Sequence, residues 1–184
     1  MLIVNTQELF IHELADVYDA EHRFLEGQQE MAQKATDEDL KSAISKHIVQ
    51  TREHARNVEQ VFRDLGVEPW RESCEAAQGL VSEAQEAISG AQTDTLRDCA
   101  IVSSVAKVEH YEIGSYRTLV TGAHLMGQSE AEQLLRNNMD QEEETARIAE
   151  GSSEKLLREA MEQEGRHPEG EGLVEKAKEK LTDQ

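Results

Sequence analysis

Apolar residues recur at steps of three and four along most of this chain, the spacing that places them on one face of an α-helix. The pattern runs from Phe10 to Ala35 in one segment and from Leu40 to Leu65 in the next. It returns from Ile101 to Leu119 and again from Leu135 to Leu156. The hydrophobic pattern therefore predicts four long amphipathic helices.

Capping and turn residues separate these helices. Thr36, with Asp39 three residues later, predicts the N-terminal cap of the second helix. Gly66 followed by Pro69 predicts its end, because proline cannot continue a helix. The other predicted elements are a shorter helix over residues 70–90, a third long helix from Thr93 to about Gly122, and a fourth over about 129–160.

The connection between the second and third long helices is long, whereas connections in bundles usually have about 2–8 residues. A single long connection at this place lets those two helices run parallel, as in ferritin-like bundles. The predicted fold is therefore all-α: a ferritin-like four-helix bundle with a short extra helix in the long connection. We assign residues 1–163 to the bundle and residues 164–184, which are rich in charge and glycine, to a flexible tail.

Ionisable residues interrupt the apolar face of each predicted long helix. A lone ionised carboxylate in a dry core is strongly destabilising, so these side chains are expected to meet and share cations. Glu and His contributed by four helices are typical of a carboxylate-bridged di-metal site. Such ligands suit Fe or Mn, with Zn as a substitute. The predicted metal ligands are Glu21, His54, Glu109, Glu112 and Glu142.

Each ligand also has a plainer interpretation, because acidic residues are abundant in this chain. Glu142 precedes two further glutamates and could belong to a solvated run of charge. His54 could be a core histidine whose hydrogen bonds are satisfied within the protein. The roles assigned to other polar residues are supporting for His47, surface for His110, and hydrogen bonding to a ligand for Tyr18 or Tyr116.

The charge balance narrows the range of partners. The 184 residues include 38 Asp and Glu against 19 Lys and Arg, a formal net charge of −19. Nucleic acids and anionic membranes bind through clustered Lys and Arg, so neither is an expected partner. No apolar run approaches the length of a membrane-spanning helix. Two cysteines without C-x-x-C spacing, and an N-terminus unlike a secretory signal, predict a cytoplasmic protein.

Several segments carry a more specific signal. They are LFIHEL at residues 9–14, YDAE at 18–21, HIVQT at 47–51, GLVSEA at 79–84 and KVEHYEIGSY at 107–116. Together they resemble the YciE/YciF-type ferritin-like family over about residues 2–160. The resemblance implies a rubrerythrin-like four-helix bundle with a di-metal centre, a homodimer, and a role in the bacterial stress response.

The resemblance also bears on the site residues, with two departures. The positions at which the family pattern carries its carboxylates are Glu21, Glu109, Glu112 and Glu142. The family often has Glu where this chain has Gln50, and an acidic residue where this chain has Ala146. His54, one turn after Gln50, is expected to compensate on the second helix.

Two main functional hypotheses follow. The first is a di-metal protein of the stress response that reacts with peroxide or dioxygen, or handles iron, and so could be an oxidoreductase. The alternative is a non-catalytic helical stress protein that acts through dimerisation or protein–protein interaction, with a degenerate metal site. In that case the polar core residues form a hydrogen-bonded network that gives specificity. Iron storage in a cage is a third possibility, for which the sequence shows no shell-forming surface.

Overall fold

The computed structural model describes residues 3–165, and this part of the chain contains five α-helices and no β-strand. The helices are α1 (Thr6–Lys34), α2 (Glu38–Asp64), α3 (Glu75–Gly90), α4 (Asp94–Leu125) and α5 (Ser129–Gln163). The all-helical prediction is confirmed. Within residues 3–165, no helix combines the length and apolar character needed to cross a membrane. The predicted tail, from residue 166 onward, lies outside the described residues.

Glycine has two different uses at the ends of these helices. Gly66 follows α2 with a φ of 71° and Gly127 follows α4 with a φ of 70°, a left-handed conformation that glycine adopts without strain. Gly122 does not end α4, which continues to Leu125. A Cβ at Gly122 would lie 2.9 Å from Cδ2 of Phe10. Gly122 therefore permits α1 to approach α4 closely. The predicted end of the helix at Gly122 is corrected to Leu125.

The start of α2 also differs from the prediction. Asp37, and not Thr36, is the cap residue, and its side chain accepts the N–H of Leu40 at 2.8 Å. The hydroxyl of Thr36 instead donates to Asp98 at 2.6 Å, and the N–H of Thr36 donates to the same carboxylate at 2.8 Å. Asp98 belongs to α4, so it fastens the turn between α1 and α2 to that helix.

The short helix α3 begins at Glu75, five residues later than predicted. The preceding residues are held by α1, because the N–H of Cys74 donates to Asp19 at 2.9 Å and Arg71 donates to it at 2.8 Å. The sulfur of Cys74 then accepts the N–H of Ala77 at 3.3 Å and caps the helix. Asp19 therefore decides where the connection becomes helical.

The helices pack so that the polar interruptions fall in the middle of the core. α1 contacts α2, α3 and α4, while α5 contacts α2 and α4. One large apolar cluster includes Phe10, Leu14, Phe62 and Leu135. The other includes Met31, Ile44, Ile101 and Leu156. On each long helix, the glutamates and histidines that are buried lie between its contributions to these two clusters.

Candidate metal centre

Six ionisable side chains meet between the two apolar clusters, and we call them the polar cluster. Its members are Glu21 from α1, His47 and His54 from α2, Glu109 and Glu112 from α4, and Glu142 from α5. Each is exposed by 2% or less. The structure therefore brings the five predicted ligands together and adds His47 to them.

Helical spacing explains why pairs from one helix reach the same place. Glu109 and Glu112 are three residues apart, and His47 and His54 are separated by two helical turns. Residues at these separations lie on one side of a helix. Both pairs therefore face the interior, while His110 is 60% exposed at its side chain and pairs with Glu150 on the surface, as predicted.

One part of the polar cluster has four possible ligands. His47, Glu109, Glu112 and Glu142 each offer an atom that lies within 4.8 Å of the others. Nε2 of His47 is 3.3 Å from Oε2 of Glu109 and 3.3 Å from Oε2 of Glu142. One imidazole nitrogen and three carboxylates thus lie close enough together to bind a single cation.

A second part has three possible ligands and shares one of them. Glu21, His54 and Glu142 satisfy the same distance criterion. Nδ1 of His54 lies 2.7 Å from Oε1 of Glu142 and 3.6 Å from Oε1 of Glu21. Because Oε1 of Glu142 faces His54 and its Oε2 faces His47, this carboxylate lies between the two groups and can bridge them.

Many of the donor atoms of the polar cluster make no hydrogen bond, and their nearest polar neighbours are one another. Among residues 3–165, most of the buried side-chain nitrogen and oxygen atoms without a hydrogen bond belong to these six residues, and the others belong to Gln28 and His12. Both oxygens of Glu112 and both of Glu142 are among them. A buried polar atom without a partner is destabilising. Carboxylate oxygens and imidazole nitrogens left open in this way could bind a divalent cation.

Each histidine has one ring nitrogen that faces the carboxylates, which we call the inner nitrogen, and one that faces away, the outer nitrogen. The outer nitrogen lies next to polar neighbours. Nε2 of His54 lies 3.1 Å from Oε1 of Gln141. Nδ1 of His47 lies 3.3 Å from Oε1 of Gln50 and 3.1 Å from the hydroxyl of Thr145. Amide oxygens accept hydrogen bonds, so the proton of each neutral imidazole is drawn to its outer nitrogen. The inner nitrogen keeps the lone pair that a metal requires.

A buried tyrosine orients Glu21. The hydroxyl of Tyr116 donates to Oε1 of Glu21 and accepts from Asn138 at 3.0 Å. Asn57 donates in turn to the side chain of Asn138 at 2.7 Å. Tyr18, the other predicted candidate, donates at 2.6 Å to Glu59, away from the polar cluster. Tyr116 is therefore the tyrosine that contacts a predicted ligand.

Burial favours the protonated form of most of these carboxyls. It raises the pKa of Glu21 to about 7, and it raises the pKa of Glu109 and of Glu112 well above the usual value. The charge of Glu142 adds to the rise in all three cases. Without a cation, the polar cluster thus retains protons that free carboxyls would lose at neutral pH.

Glu142 behaves differently because of its neighbours. Burial by itself would raise the pKa of Glu142, but the Glu109 carboxyl and the two histidines lower it overall. Burial likewise disfavours the charge on His47 and His54, yet the nearby carboxylates raise the pKa of both imidazoles. Glu142 is thus the carboxylate whose surroundings most favour negative charge.

The two departures from the family pattern have visible consequences. Gln50 is half-buried and places its amide oxygen next to the outer nitrogen of His47. Ala146 is 3% exposed and offers no polar atom from its side chain. The α2 position therefore supports a histidine, whereas the α5 position contributes only packing.

Two residues of this region were not predicted to belong to the site. His47 was assigned a supporting role, whereas its Nε2 faces two carboxylates. Asn138, which is fully buried, was not singled out. Asn138 lies three residues after Leu135 and four before Glu142, so the helical spacing could have revealed it. The polarity of the His47 environment could not have been found in this way, since it depends on α4 and α5.

Solved structures share this fold. The crystal structure of the E. coli stress protein YciF matches with a TM-score of 0.81 and 30% identity, covering 85% of this chain and 99% of that one. YcfI from Rhodopseudomonas palustris, whose description suggests a structural protein, matches with a TM-score of 0.79 and 32% identity. That match covers 80% of this chain and 94% of YcfI.

Sequence comparison agrees with the structural matches. Protein YciF of Escherichia coli (strain K12) is 34% identical over 140 residues, which are 76% of this chain and 84% of YciF. The family described as Domain of unknown function (DUF892) matches residues 5–162. The resemblance seen in the sequence is thus confirmed, and this chain belongs to the DUF892 family, as a relative of YciF.

Proposed function

We propose that this chain is a ferritin-like four-helix-bundle protein that binds a pair of Fe or Mn ions in the polar cluster. The observation that carries the proposal is the convergence of four carboxyls and two imidazoles in the core, with most of their inward-facing atoms making no hydrogen bond. Six ionisable residues in a sealed core are destabilising unless charge and coordination are supplied from outside the chain. A pair of divalent cations supplies both.

The two groups of possible ligands suggest how the ions are held. One ion would be held by His47, Glu109, Glu112 and Glu142, and the other by Glu21, His54 and Glu142. Glu142 is the shared ligand in this assignment, which extends the predicted set by His47. Zn could substitute, because oxygen and imidazole donors accept it as well.

The protein prepares this site for reaction with a small oxidant. When bound, a pair of Fe(II) or Mn(II) ions supplies the two electrons that convert hydrogen peroxide and two protons into two water molecules. Tyr116 holds Glu21 in place, and the outer partners of the histidines favour the neutral tautomer whose inner nitrogen can bind a cation. The apolar clusters on both sides exclude bulk water from the donor atoms.

The relatives favour a role of this kind in stress. YciF of E. coli is described as a stress protein, and a protein that consumes peroxide or handles iron would serve that role. We infer from the family resemblance that the chain acts in the cytoplasm as a homodimer, which native mass spectrometry would test.

A non-catalytic role is the second candidate. Ala146 removes a donor that the family often supplies, and Tyr116, Asn138 and Asn57 form a buried hydrogen-bonded chain that could give the core its specificity. The description of YcfI as a structural protein points the same way. The metal content of the purified protein distinguishes the two candidates.

The test measures metal per chain in protein purified without chelator. We expect about two Fe or Mn per chain in the wild type. Glu142→Gln should lose most of this metal, since it removes the shared carboxylate. Glu144→Gln is the matched control, because Glu144 is exposed on the same helix and should retain wild-type content. No metal in the wild type, and no uptake after addition of Fe(II) or Mn(II), would favour the non-catalytic role.

A further inference from the structure

A surface groove between α1 and α3 adjoins a smaller cavity that α1, α3 and α4 line. The groove has a volume of about 500 Å³, and its walls include Arg23, Glu26 and Glu30. The cavity has a volume of about 10 Å³, which is close to the space that one water molecule requires. Gly27 and Val81 line both spaces, so they separate the cavity from the groove.

The cavity reaches the polar cluster, and we call it the access cavity. Most of its walls are apolar, and the lining residues are Phe24, Gly27, Gln28, Met31, Val81, Val105, Val108 and Glu109. Glu109 is a member of the polar cluster and is 1% exposed. A molecule in the access cavity would therefore be next to a proposed metal ligand.

Gln28 lines this cavity and carries a hydrogen-bonding atom that has no partner. The residue is 5% exposed, and its Oε1 lies 3.0 Å from the hydroxyl of Thr51. Its Nε2 has no partner, although it is buried. An amide donor left open beside a cavity of this size is suited to binding an oxygen atom of a small molecule.

We propose that the access cavity binds a neutral, oxygen-bearing reactant of about the size of hydrogen peroxide or dioxygen. The reactant enters between Gly27 and Val81, and the amide of Gln28 holds it beside Glu109. The proposal rests on the metal site inferred above and adds the path that the small oxidant takes to it and the residue that binds the oxidant on the way.

The same surroundings disfavour a hydrated metal ion as the occupant. A divalent cation would have to shed its water against walls formed by Phe24, Met31 and valine side chains. The groove offers such a cation few ligands, because the carboxylate of Glu30 already binds Lys34 at 2.6 Å and Gln85 at 2.9 Å. A neutral molecule meets neither obstacle.

The first test uses metal-free protein and dissolved dioxygen under pressure. Dioxygen is paramagnetic, so it enhances the relaxation of methyl groups that it approaches. We expect severalfold greater enhancement at the methyls of Val105 and Val108 than at those of Val58, which is fully buried in the other half of the core. Equal enhancement at the three valines would overturn the proposal.

Variants at the entrance sharpen this test. A Cβ at Gly27 would meet Val81 Cγ2 at 3.5 Å, so Gly27→Ala fits and narrows the gap. It should lower the relaxation enhancement at Val105 and Val108 severalfold, whereas Val81→Ala should raise it. Gly114→Ala is the control, because a methyl there meets nothing within 4 Å and adds the same alanine to a helix. If Gly27→Ala behaves like Gly114→Ala, the entrance is not between Gly27 and Val81.

The second test uses iron-loaded protein and hydrogen peroxide. Val81→Ala should raise the second-order rate of peroxide consumption severalfold, and Gly27→Ala should lower it, with iron content unchanged in both. Gln28→Leu should raise KM for peroxide more than it lowers kcat, because it removes the binding amide. Unchanged rates with normal iron content would overturn the proposal.

The two tests separate this inference from the proposed function. A wild type that binds no metal would contradict the proposed function, while the dioxygen measurement on metal-free protein would still decide whether the access cavity admits a neutral molecule. Conversely, normal metal binding with no dioxygen at Val105 and Val108 would leave the metal site in place and remove the access route.

Discussion

Two kinds of buried acid occur in this protein, and they differ in what surrounds them. Asp19 and Asp98 are each 3% exposed, about as buried as the glutamates of the polar cluster. Asp98 accepts two backbone N–H groups and the hydroxyl of Thr36. Glu112, by contrast, has no hydrogen bond to either oxygen. Burial alone therefore does not identify a metal ligand. A buried acid is a candidate ligand when no hydrogen-bond donors of the protein satisfy its oxygens.

The pKa values follow the same division. Burial by itself would raise the pKa of Asp19, but hydrogen bonds from Arg23, the N–H of Cys74 and Arg71 lower it below the usual value. Burial raises the pKa of Glu112 and no donor reverses that effect. An acid of the first kind fastens one segment of chain to another, and an acid of the second kind is suited to a cation.

The largest expected effect comes from removing metal. Each ion present at about 100 times its Kd stabilises the folded state by about 2.7 kcal/mol, because it binds the folded chain and not the unfolded one. Treatment with a chelator should therefore lower the unfolding midpoint of wild-type protein clearly. Thermal unfolding with and without EDTA measures the change. The double variant Glu109→Gln with Glu112→Gln should show a smaller dependence, because it removes two ligands of one of the two ions, and an unchanged wild-type midpoint would count against the metal site.

The next effect concerns an acid with donors. Asp98→Ala should reduce the free energy of unfolding by about 2–3 kcal/mol, since the donors of Thr36 and Asp37 lose their acceptor. The loss should be the same with or without metal. Urea unfolding measures it, with Asp140→Ala, an exposed substitution on α5, as the control. If the loss of stability disappears when metal is removed, Asp98 would stabilise the protein through the metal site, and the two kinds of acid would not differ as described.

The pH dependence of metal-free protein should reflect the raised pKa values. Glu21 has a pKa of about 7 in the folded protein against 4.5 ordinarily, so its contribution to stability is present below 4.5 and is lost as pH rises through 7. His47 and His54 act in the same direction above 6.5, because their pKa values are also raised. Stability in EDTA should therefore fall between about pH 5 and about pH 8.

Urea unfolding between pH 5 and pH 8 measures how steeply the stability of metal-free protein falls with pH. Glu21→Gln should make this decrease shallower, because it removes one of the groups that release a proton on unfolding. Metal affinity should show the opposite trend and rise with pH, since binding displaces protons from the same groups. If the stability of metal-free protein increases toward pH 8, the raised pKa values of Glu21, His47 and His54 are contradicted.

The smallest expected effect is at Glu112, where the effect of one substitution on stability should change sign between metal-free and metal-bound protein. In EDTA at neutral pH, Glu112→Gln should stabilise the protein by about 1 kcal/mol, because folding no longer requires the side chain to take up a proton. With metal present, the same variant should be less stable than wild type because it loses a ligand. Comparing the two unfolding midpoints tests this reversal. Destabilisation in both conditions would mean that Glu112 has partners within the protein.

The sequence predicted the helices better than their ends. Apolar spacing identifies each long helix, because one face must be buried whatever the neighbours are. The cap at Thr36 and the start at residue 70 were wrong because Asp98 and Asp19, which come from other helices, bind these segments. The third long helix continues three residues past Gly122, to the turn at Gly127.

The same limit applies to the candidate site. Glu21, Glu109 and Glu112 could be singled out because each interrupts an apolar face of its own helix. His47 also interrupts such a face, yet its role depends on which nitrogen faces the carboxylates of α4 and α5. That orientation is set by Gln50 and Thr145, the latter from another helix.

By itself, the sequence determined the helical class, the number of long helices and the polar positions inside them, because these follow from spacing within one segment. Only the tertiary structure decided which buried acids have donors, which carboxylate lies between two histidines, and which cavity reaches it. Those features depend on distances between helices far apart along the chain. The packing of α1, α2, α4 and α5 fixes those distances, with α3 closing one side.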